Sequence, residues 1–248
     1  MTDAAERFTL VLPTLNEAGN VTTALERAVA VLSKEKLAWN ILVVDDESTD
    51  GTPDVVLRYA ESENRVRLIV RHAHRGLAGA ISFGWAHTDA ELVGVMDADL
   101  QHPPELLPAL LNEVRDGADI AIASRYLKPG SMDEWNRIRR LISRLGVLAS
   151  KPVQPVTLNV HDPLSGFFVL RRRSIAGIKF QETGFKLLLE ILARGRITSV
   201  AEVPFKFSTR KCGRSKANAM TAIHYFFLLC KLAANRVRLP KQARISVG

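Results

Sequence analysis

Residues 91–104, ELVGVMDADLQHPP, join an apolar strand pattern to an acidic loop and then to a proline-led helix start. Asp97 and Asp99 follow the strand directly, and in an extended backbone residues two apart point to the same side. The Pro-Pro pair that comes next suits the first turn of a helix. A strand that ends in polar side chains and passes into a helix is typical of an α/β fold, where ligands bind outside the carboxyl ends of the strands.

The same succession of strand and helix patterns recurs along the chain. Strands are predicted at residues 8–12, 40–44, 66–70, 91–96, 119–123, 167–170 and 199–207. Helices are predicted at 17–34, 53–62, 76–87, 104–115, 133–149, 185–193 and 217–237. Asn16 and Thr52 stand where N-caps are expected. This alternation predicts an α/β fold with a mostly parallel central sheet flanked by helices.

The composition is that of a globular protein with a basic C-terminus. The 248 residues are 47% hydrophobic and 24% charged, enough for a large core in one domain with an appendage. We expect a main domain over residues 1–215 and a basic amphipathic helix and tail over 216–248. No Asp or Glu follows Glu202, whereas ten basic residues do: Lys206, Arg210, Lys211, Arg214, Lys216, Lys231, Arg236, Arg238, Lys241 and Arg244. The net charge of +8 therefore favours anionic partners, either lipid headgroups or nucleic acid.

The N-terminal sequence and the cysteines indicate a protein of the cytoplasm. Residues 1–7 are polar and acidic, unlike a secretory signal, and the apolar runs are shorter than the roughly 20 residues of a membrane-spanning helix. Cys212 and Cys230 have neither zinc-site spacing nor a disulfide framework. The helix predicted over 217–237 carries aromatic and basic side chains, so it suits either the membrane interface or a core position. We expect a cytoplasmic protein that lies peripherally on the cytoplasmic face of a membrane.

Acidic residues follow three of the predicted strands. The segments are residues 13–17 (PTLNE), 45–48 (DDES) and 97–102 (DADLQH). Carboxylates that converge on one edge would repel one another unless a cation or a donor-rich ligand lay between them. Asp97 and Asp99 are hard oxygen ligands that suit Mg²⁺ or Mn²⁺, although an isolated Asp-x-Asp is more often a solvated loop. Asp45 and Asp46 either cap the following turn or bind a base or ribose.

Basic residues form a second group. Arg125 ends the fifth predicted strand, and Arg139, Ser143 and further arginines lie on the helix after it. Such a run suits either a solvated helix face or an anionic acceptor. Further cations stand at Lys186, Arg210 and Lys216, and the last two flank a glycine-containing loop that could close over a diphosphate.

Taken together, these motifs resemble the dolichyl- or polyprenyl-phosphate mannose synthases, which are inverting glycosyltransferases of the GT-A fold. The resemblance runs from Phe8 to about Lys216. Its motifs, in chain order, are Pro13-Thr14-x-Asn16-Glu17, Val44-Asp45-Asp46 with Asp50-Gly51-Thr52, Met96 to Glu105, Ser124-Arg125-Tyr126, Trp135 to Ser143, Asp162-x-x-Ser165-Gly166-Phe167, Gly184-Phe185-Lys186 and Arg210-x-x-Gly213-x-Ser215-Lys216.

The resemblance implies a reaction and roles for the matching residues. Mannose would pass from GDP-mannose to a polyprenyl phosphate with inversion, with Mg²⁺ or Mn²⁺ as cofactor. The nucleotide pocket would be lined by Pro13, Glu17, Val44 and Asp46. Asp97 and Ala98 would meet the donor, and Asp99 with Gln101 would bind the metal. Cations that hold the diphosphate, sugar or acceptor would be Arg125, Lys186, Arg210 and Lys216. The acceptor phosphate site would be Arg139 and Ser143. The residues expected to carry catalysis are Asp97, Asp99, Arg125 and Arg210.

Alternatives remain open at this point. The sugar could instead be glucose from UDP-glucose. A non-enzymatic nucleic-acid-binding protein has only the basic charge in its favour, because the chain lacks a nucleic-acid-binding module, and we expect no nucleic acid partner. Members of the mannose synthase family often carry membrane-spanning helices or depend on a membrane partner. Because no span is predicted in this chain, we expect it either to bind the membrane peripherally or to recruit a membrane-anchoring partner subunit.

Overall fold

The fold is built on one central sheet, seen in a computed structural model that describes residues 6–72, 76–127, 137–155, 158, 160–180, 186–206 and 219–238. The described strands are β1 (Arg7–Thr14), β2 (Ala38–Asp45), β3 (Val66–Val70), β4 (Leu92–Val95), β5 (Ile120–Ser124), β6 (Phe168–Arg171) and β7 (Val200–Pro204). The described α-helices are α1 (Val21–Leu32), α2 (Thr52–Ser62), α3 (Leu77–Ala86), α4 (Leu107–Arg115), α5 (Arg137–Ser150), α6 (Leu187–Arg194) and α7 (Ala219–Arg238). Short 3₁₀ turns lie at Pro104–Leu106, Lys151–Val153 and Arg172–Ile175.

The strand order is β3-β2-β1-β4-β6-β5-β7. β6 is antiparallel to both of its neighbours, β4 and β5, whereas the other pairs are parallel. The predicted α/β fold with a mostly parallel sheet is therefore confirmed. The insertion of β6 has a consequence for the site: the segment that leads into it arrives at the edge where β4 and β5 end.

Helices cover both faces of the sheet. Side chains alternate along β1, so Leu10 and Leu12 join a core with Leu25 of α1, while Val11 joins another with Ile81 of α3. Because both faces are covered, the central strands are almost entirely buried. This burial holds the strand ends in fixed positions, as a binding site on the connecting loops requires.

The C-terminal helix α7 packs on the rest of the molecule. Leu228 and Leu232 join a small buried cluster with Val153 and with Leu189 of α6. Tyr225 donates a hydrogen bond of 2.6 Å from its hydroxyl to the Gly146 carbonyl of α5, and burial raises the pKa of this phenol to about 12. One side of the helix predicted within 216–248 thus contacts the main domain.

Both predicted N-caps are wrong. The residue that precedes α1 is Asn20 and the one that precedes α2 is Gly51, which has a φ of 85° that favours glycine. Asn16 lies upstream of α1, where its side-chain oxygen accepts the N–H of Thr49 at 2.8 Å instead of capping a helix. Thr52 is the first residue of α2 itself. The side chains at these positions join two loops to each other.

Gly195, directly after α6, offers a test of this packing. A Cβ there would lie 2.5 Å from the backbone oxygen of Ile191 and 3.3 Å from that of Ser174. Because backbone cannot move aside cheaply, we expect Gly195→Ala to lower the free energy of unfolding by about 1–3 kcal/mol, measured by urea denaturation. Gly19→Ala is the matched control, since a Cβ there meets nothing within 4 Å. Equal stabilities for the two variants would contradict this account.

Candidate active site

Three loops meet at one edge of the sheet. β1 lies between β2 and β4 and is parallel to both, with Pro13 paired to Val44 and Val11 to Val95. The loops after these strands therefore emerge side by side. Each loop contains a non-glycine residue with a left-handed backbone, and φ is 58° at Asn16, 57° at Glu47 and 64° at Leu100. Uncommon backbone conformations of this kind cluster at functional sites.

The two acidic residues after β2 have different partners. Asp45 is fully buried and accepts hydrogen bonds from the Thr14 hydroxyl and from both the backbone and the side chain of Ser48, so it fixes the turn. Asp46 forms a two-pronged ion pair with Arg71, at 2.8 and 2.9 Å, and accepts the N–H of Gly76 at 2.8 Å. Asp46 thereby joins the loop after β2 to the start of α3.

The other residues predicted for the nucleotide pocket lie at the same edge. Pro13 is buried next to the end of β1, and Val44 is fully buried. A Cβ on Gly84 of α3 would touch the Val44 side chain, so that side chain faces the core rather than a ligand. Glu17 accepts a hydrogen bond of 2.9 Å from the Asn20 amide. Contact of Val44 with a nucleotide would therefore have to use its backbone.

The acidic loop after β4 places its two carboxylates differently. Asp97 has a 34% exposed side chain, and its N–H donates to Nδ1 of the buried His102 at 3.3 Å. Asp99 is buried, and its Oδ1 accepts the N–H of the buried Gln101 at 3.1 Å. Ala98, between the carboxylates, is buried as well. The more exposed of the two carboxylates is thus that of Asp97.

Gly166 brings a second loop close to Asp97. A Cβ at this position would lie 2.9 Å from Oδ2 of Asp97 and 3.3 Å from the ring of His102. Only glycine allows the backbone to approach the carboxylate this closely. The 162–166 segment and the acidic loop therefore form one surface.

Arg125 lies at the end of β5 in a buried ion pair. Its guanidinium donates to Asp162 at 2.7 and 2.8 Å, and its backbone N–H donates to the same carboxylate at 3.0 Å. Asp162 is fully buried. Burial alone would lower the pKa of Arg125, but the Asp162 carboxylate offsets this, and the pKa is raised. No role for Asp162 was predicted from the sequence, and its only signal was its place in a motif that the chain shares with the mannose synthase family.

Asp97, Arg125 and Lys186 line one cavity of about 130 Å³ together with Gly166. Burial, and then the charge of Arg125, lower the pKa of Lys186 to about 8, against the opposing charges of Asp162 and Asp97. Two cations and a carboxylate around a small cavity next to the strand ends can bind an anion and stabilise charge that develops on it. A larger groove of about 1020 Å³ runs along α3, and none of the predicted site residues is among its described lining.

The acceptor side is described in part. Ser143 of α5 shares a 2.6 Å hydrogen bond with the hydroxyl of Tyr126, the residue next to Arg125. This contact attaches α5 to the end of β5 and brings Ser143 to the side of the sheet where Arg125 lies. The Arg139 side chain, Arg210 and Lys216 lie outside the described residues.

A divalent metal has two predicted ligands here, the Asp99 carboxylate and the Gln101 amide. Within the described ranges, no group of three or more His, Cys, Asp or Glu side chains is arranged to hold a metal ion. Mg²⁺ is commonly bound by one or two carboxylates and completed by substrate phosphates and water. Oxygen donors from residues 99 and 101 of one loop therefore suit a metal whose other ligands are phosphate oxygens and water.

Comparison with known protein families shows the class of enzyme to which the chain belongs. Residues 9–178 match the model of the family described as glycosyl transferase family 2. The chain belongs to this family and is a glycosyltransferase.

Named relatives identify a narrower group. The chain is 37% identical to the dolichol-phosphate mannosyltransferase of Pyrococcus furiosus over 219 residues, which cover 88% of this chain and 61% of that protein. It is 33% identical to proteins of the same name from Mycosarcoma maydis, with 93% and 80% covered, and from Saccharomyces cerevisiae, with 91% and 86% covered. The chain thus spans about three fifths of the length of the Pyrococcus protein. The resemblance to the dolichyl- or polyprenyl-phosphate mannose synthases is confirmed.

Solved structures agree on the fold. A mannosyl-3-phosphoglycerate synthase from Rubrobacter xylanophilus superimposes with a TM-score of 0.69 at 22% identity, over 98% of this chain and 79% of that one. A glucosyl-3-phosphoglycerate synthase from Mycobacterium tuberculosis, crystallised with Mn²⁺ and UDP-glucose, gives a TM-score of 0.67 at 19% identity, over 96% and 82%. The expected GT-A fold is confirmed.

The lowered pKa of Lys186 predicts how stability depends on pH. The folded state holds this proton less tightly than the unfolded chain, in which the pKa of a lysine is about 10.4. The contribution of Lys186 to the free energy of unfolding therefore increases as pH rises from about 8 towards about 10.4. In this window, the free energy of unfolding of the wild type should rise relative to that of Lys186→Met by at most about 1.4 kcal/mol per pH unit, measured by urea denaturation. A difference between the two proteins that is constant across the window would contradict the assignment.

Proposed function

We propose that this protein transfers mannose from GDP-mannose to a polyprenyl phosphate of the dolichyl type, with inversion at the anomeric carbon. The observation that carries the proposal is the cavity shared by Asp97, Arg125 and Lys186 at the strand ends. Relatives named dolichol-phosphate mannosyltransferase, which match most of the chain, support the choice of sugar and acceptor.

The chain's own groups account for the chemistry without a dedicated base. A phosphate monoester has its second pKa near about 6, so the acceptor is largely a dianion at neutral pH. An acceptor oxygen forms the new bond to the anomeric carbon while the bond to the diphosphate breaks, and the nucleoside diphosphate leaves with the electron pair. Arg125 and Lys186 stabilise the negative charge on the phosphates during this exchange. Attack opposite the leaving group inverts the anomeric centre.

Asp99 and Gln101 would hold the divalent metal, Mg²⁺ or Mn²⁺. The M. tuberculosis neighbour was crystallised with Mn²⁺ and a nucleotide sugar, which supports a metal of this type. When bound, such an ion supplies Lewis-acid stabilisation of the diphosphate. Asp97, which is more exposed than Asp99, would face the sugar of the donor.

The acceptor's lipid chain calls for a membrane surface, and α5 with α7 offers one. Among the described side chains of these helices, four large apolar ones are more than half exposed: Leu145 (54%), Leu148 (60%), Phe226 (63%) and Phe227 (64%). The basic residues Arg144, Lys151 and Lys231 are exposed nearby along the chain. No described helix is long and apolar enough to cross a membrane. We therefore propose peripheral binding, on the cytoplasmic face, by this apolar and basic surface.

The decisive test is transfer to detergent-dispersed polyprenyl phosphate with Mg²⁺ or Mn²⁺, with GDP-mannose and UDP-glucose offered separately. We expect lipid-linked mannose from GDP-mannose, abolished by a chelator. Asp99→Ala should reduce the product at least about 100-fold, because it removes a ligand of the metal that neutralises the diphosphate. Asp116→Ala, an exposed aspartate after α4, is the control and should retain activity.

Each other outcome has a defined meaning. Product from UDP-glucose alone would keep the mechanism and replace mannose by glucose. Full activity in the presence of chelator would contradict the metal role of Asp99 and Gln101. A protein that binds polyanions equally well with and without Asp99, and forms no glycolipid from either donor, would refute the proposal.

Membrane binding is tested with phosphatidylcholine vesicles, with and without phosphatidylserine. Burying a Phe side chain is worth about 1.5–3 kcal/mol, so replacing Phe226 and Phe227 by Ser should lower the partition coefficient at least about tenfold in sedimentation. Leu57→Ser is the matched control, because Leu57 is 53% exposed but lies on α2. Equal binding by the two variants would place the membrane surface elsewhere.

A further inference from the structure

Glu202 is a carboxylate that nothing in the reaction above uses. It lies in β7, the last strand of the sheet order, paired in register with Ile122 of β5. Its side chain is only 10% exposed, and it is not among the described residues that line the cavity of Asp97 and Arg125. Charged residues on edge strands often protect against edge-to-edge pairing, but that role requires exposure to solvent. Glu202 instead points towards its own chain.

The Glu202 carboxylate holds the segment that leads to Asp162. Its Oε1 accepts the backbone N–H of Asp162 at 3.0 Å, and its Oε2 accepts the backbone N–H of His161 at 2.9 Å. The His161 ring nitrogen Nδ1 lies 2.7 Å from the same Oε2. Two successive backbone donors are therefore fixed by one side chain from a strand 40 residues further along the chain.

This contact continues to Arg125 through Asp162. Asp162 binds the guanidinium with both oxygens and also accepts the backbone N–H of Arg125. A shift of the 161–162 backbone would move both of these carboxylate oxygens. Arg125 would then lose its geometry towards the cavity that it shares with Asp97 and Lys186.

We propose that Glu202 is a positioning residue for the transfer reaction, acting through Asp162 on Arg125. The proposal rests on the proposed function, because it assigns Arg125 to the stabilisation of phosphate charge. Glu202 does not touch a substrate in this account. It sets where Asp162 lies, and Asp162 sets where the guanidinium lies.

The test is a double-mutant cycle with Glu202→Gln and Asp162→Asn. The amide has the shape of the carboxylate but presents a donor to one of the two backbone N–H groups, so that one acceptor is lost. We expect kcat/KM for Glu202→Gln to fall about 10- to 100-fold, as for other supporting residues of an active site. In the Asp162→Asn background, Glu202→Gln should cost less than about threefold, because both changes remove the same function.

A matched control separates positioning from stability. Glu63 has a 16% exposed carboxylate that accepts hydrogen bonds from both the backbone and the guanidinium of Arg65. It lies between α2 and β3, so Glu63→Gln should keep wild-type kcat and KM whatever it does to the unfolding temperature. Effects of Glu202→Gln and Asp162→Asn that multiply independently, or an unchanged kcat/KM in Glu202→Gln, would overturn the proposal.

A measurement without substrate tests the positioning role of Glu202 separately from the transfer reaction. The Nε–H of Arg125 donates to Asp162 at 2.7 Å in a buried setting, so its NMR signal should exchange slowly with water. We expect Glu202→Gln to speed this exchange at least about tenfold, and Glu63→Gln to leave it unchanged. Unchanged exchange in Glu202→Gln would overturn the positioning role, even in a protein that transfers no sugar. If Glu202→Gln does not fold, Glu202→Asp serves as the second variant, since it keeps the charge but shortens the reach.

Discussion

A guanidinium that leaves water needs an anion beside it, and the pairing of Arg125 with Asp162 meets that need at the centre of the candidate site. Breaking a buried ion pair by removing one partner costs about 3–5 kcal/mol, because the other charge is left unpaired. The pair also fixes geometry, because Asp162 binds the backbone as well as the side chain of Arg125. The end of β5 and the segment before β6 are thereby held as one unit, against which the acidic loop and Lys186 lie.

Much of the architecture could be predicted because it follows from local patterns. Each of the seven predicted apolar runs of strand length corresponds to a strand in the described part of the chain, and helical spacing predicted the described helices between them. In a parallel sheet the carboxyl ends of the strands lie at one edge. The proximity of residues 13–17, 45–48 and 97–102, which each follow a predicted strand, was therefore expected. The acidic loop with Asp97 and Asp99 could be selected for the same reason. Arg125 and Lys186 were recognisable as cations, but only the family resemblance assigned them to the same site.

Other features depend on contacts that no local pattern contains. Asp162 meets Arg125 across 37 residues only because β6 inserts antiparallel between β4 and β5. Asn16 suited a helix cap by residue type, but its left-handed backbone directs it to the neighbouring loop, and α1 begins five residues later. Asp45 and Asp46 are adjacent and identical in type, yet Asp45 fixes a turn and Asp46 pairs with Arg71. Residue type gives the chemistry, and topology chooses the partner.

The cavity is electrostatically unfavourable without a ligand, and this has a physical use. Burial disfavours the charged form of Lys186, and the nearby charge of Arg125 adds a repulsion, so the pKa of Lys186 is lowered. Asp162 and Asp97 offset part of it, but Asp162 is already engaged on both oxygens by Arg125. An anion in the cavity would offset both of these costs and would favour the charged form of Lys186. Cations that are held apart from water before the ligand arrives need no reorganisation when charge develops on that ligand, which is the condition under which electrostatic stabilisation is strongest.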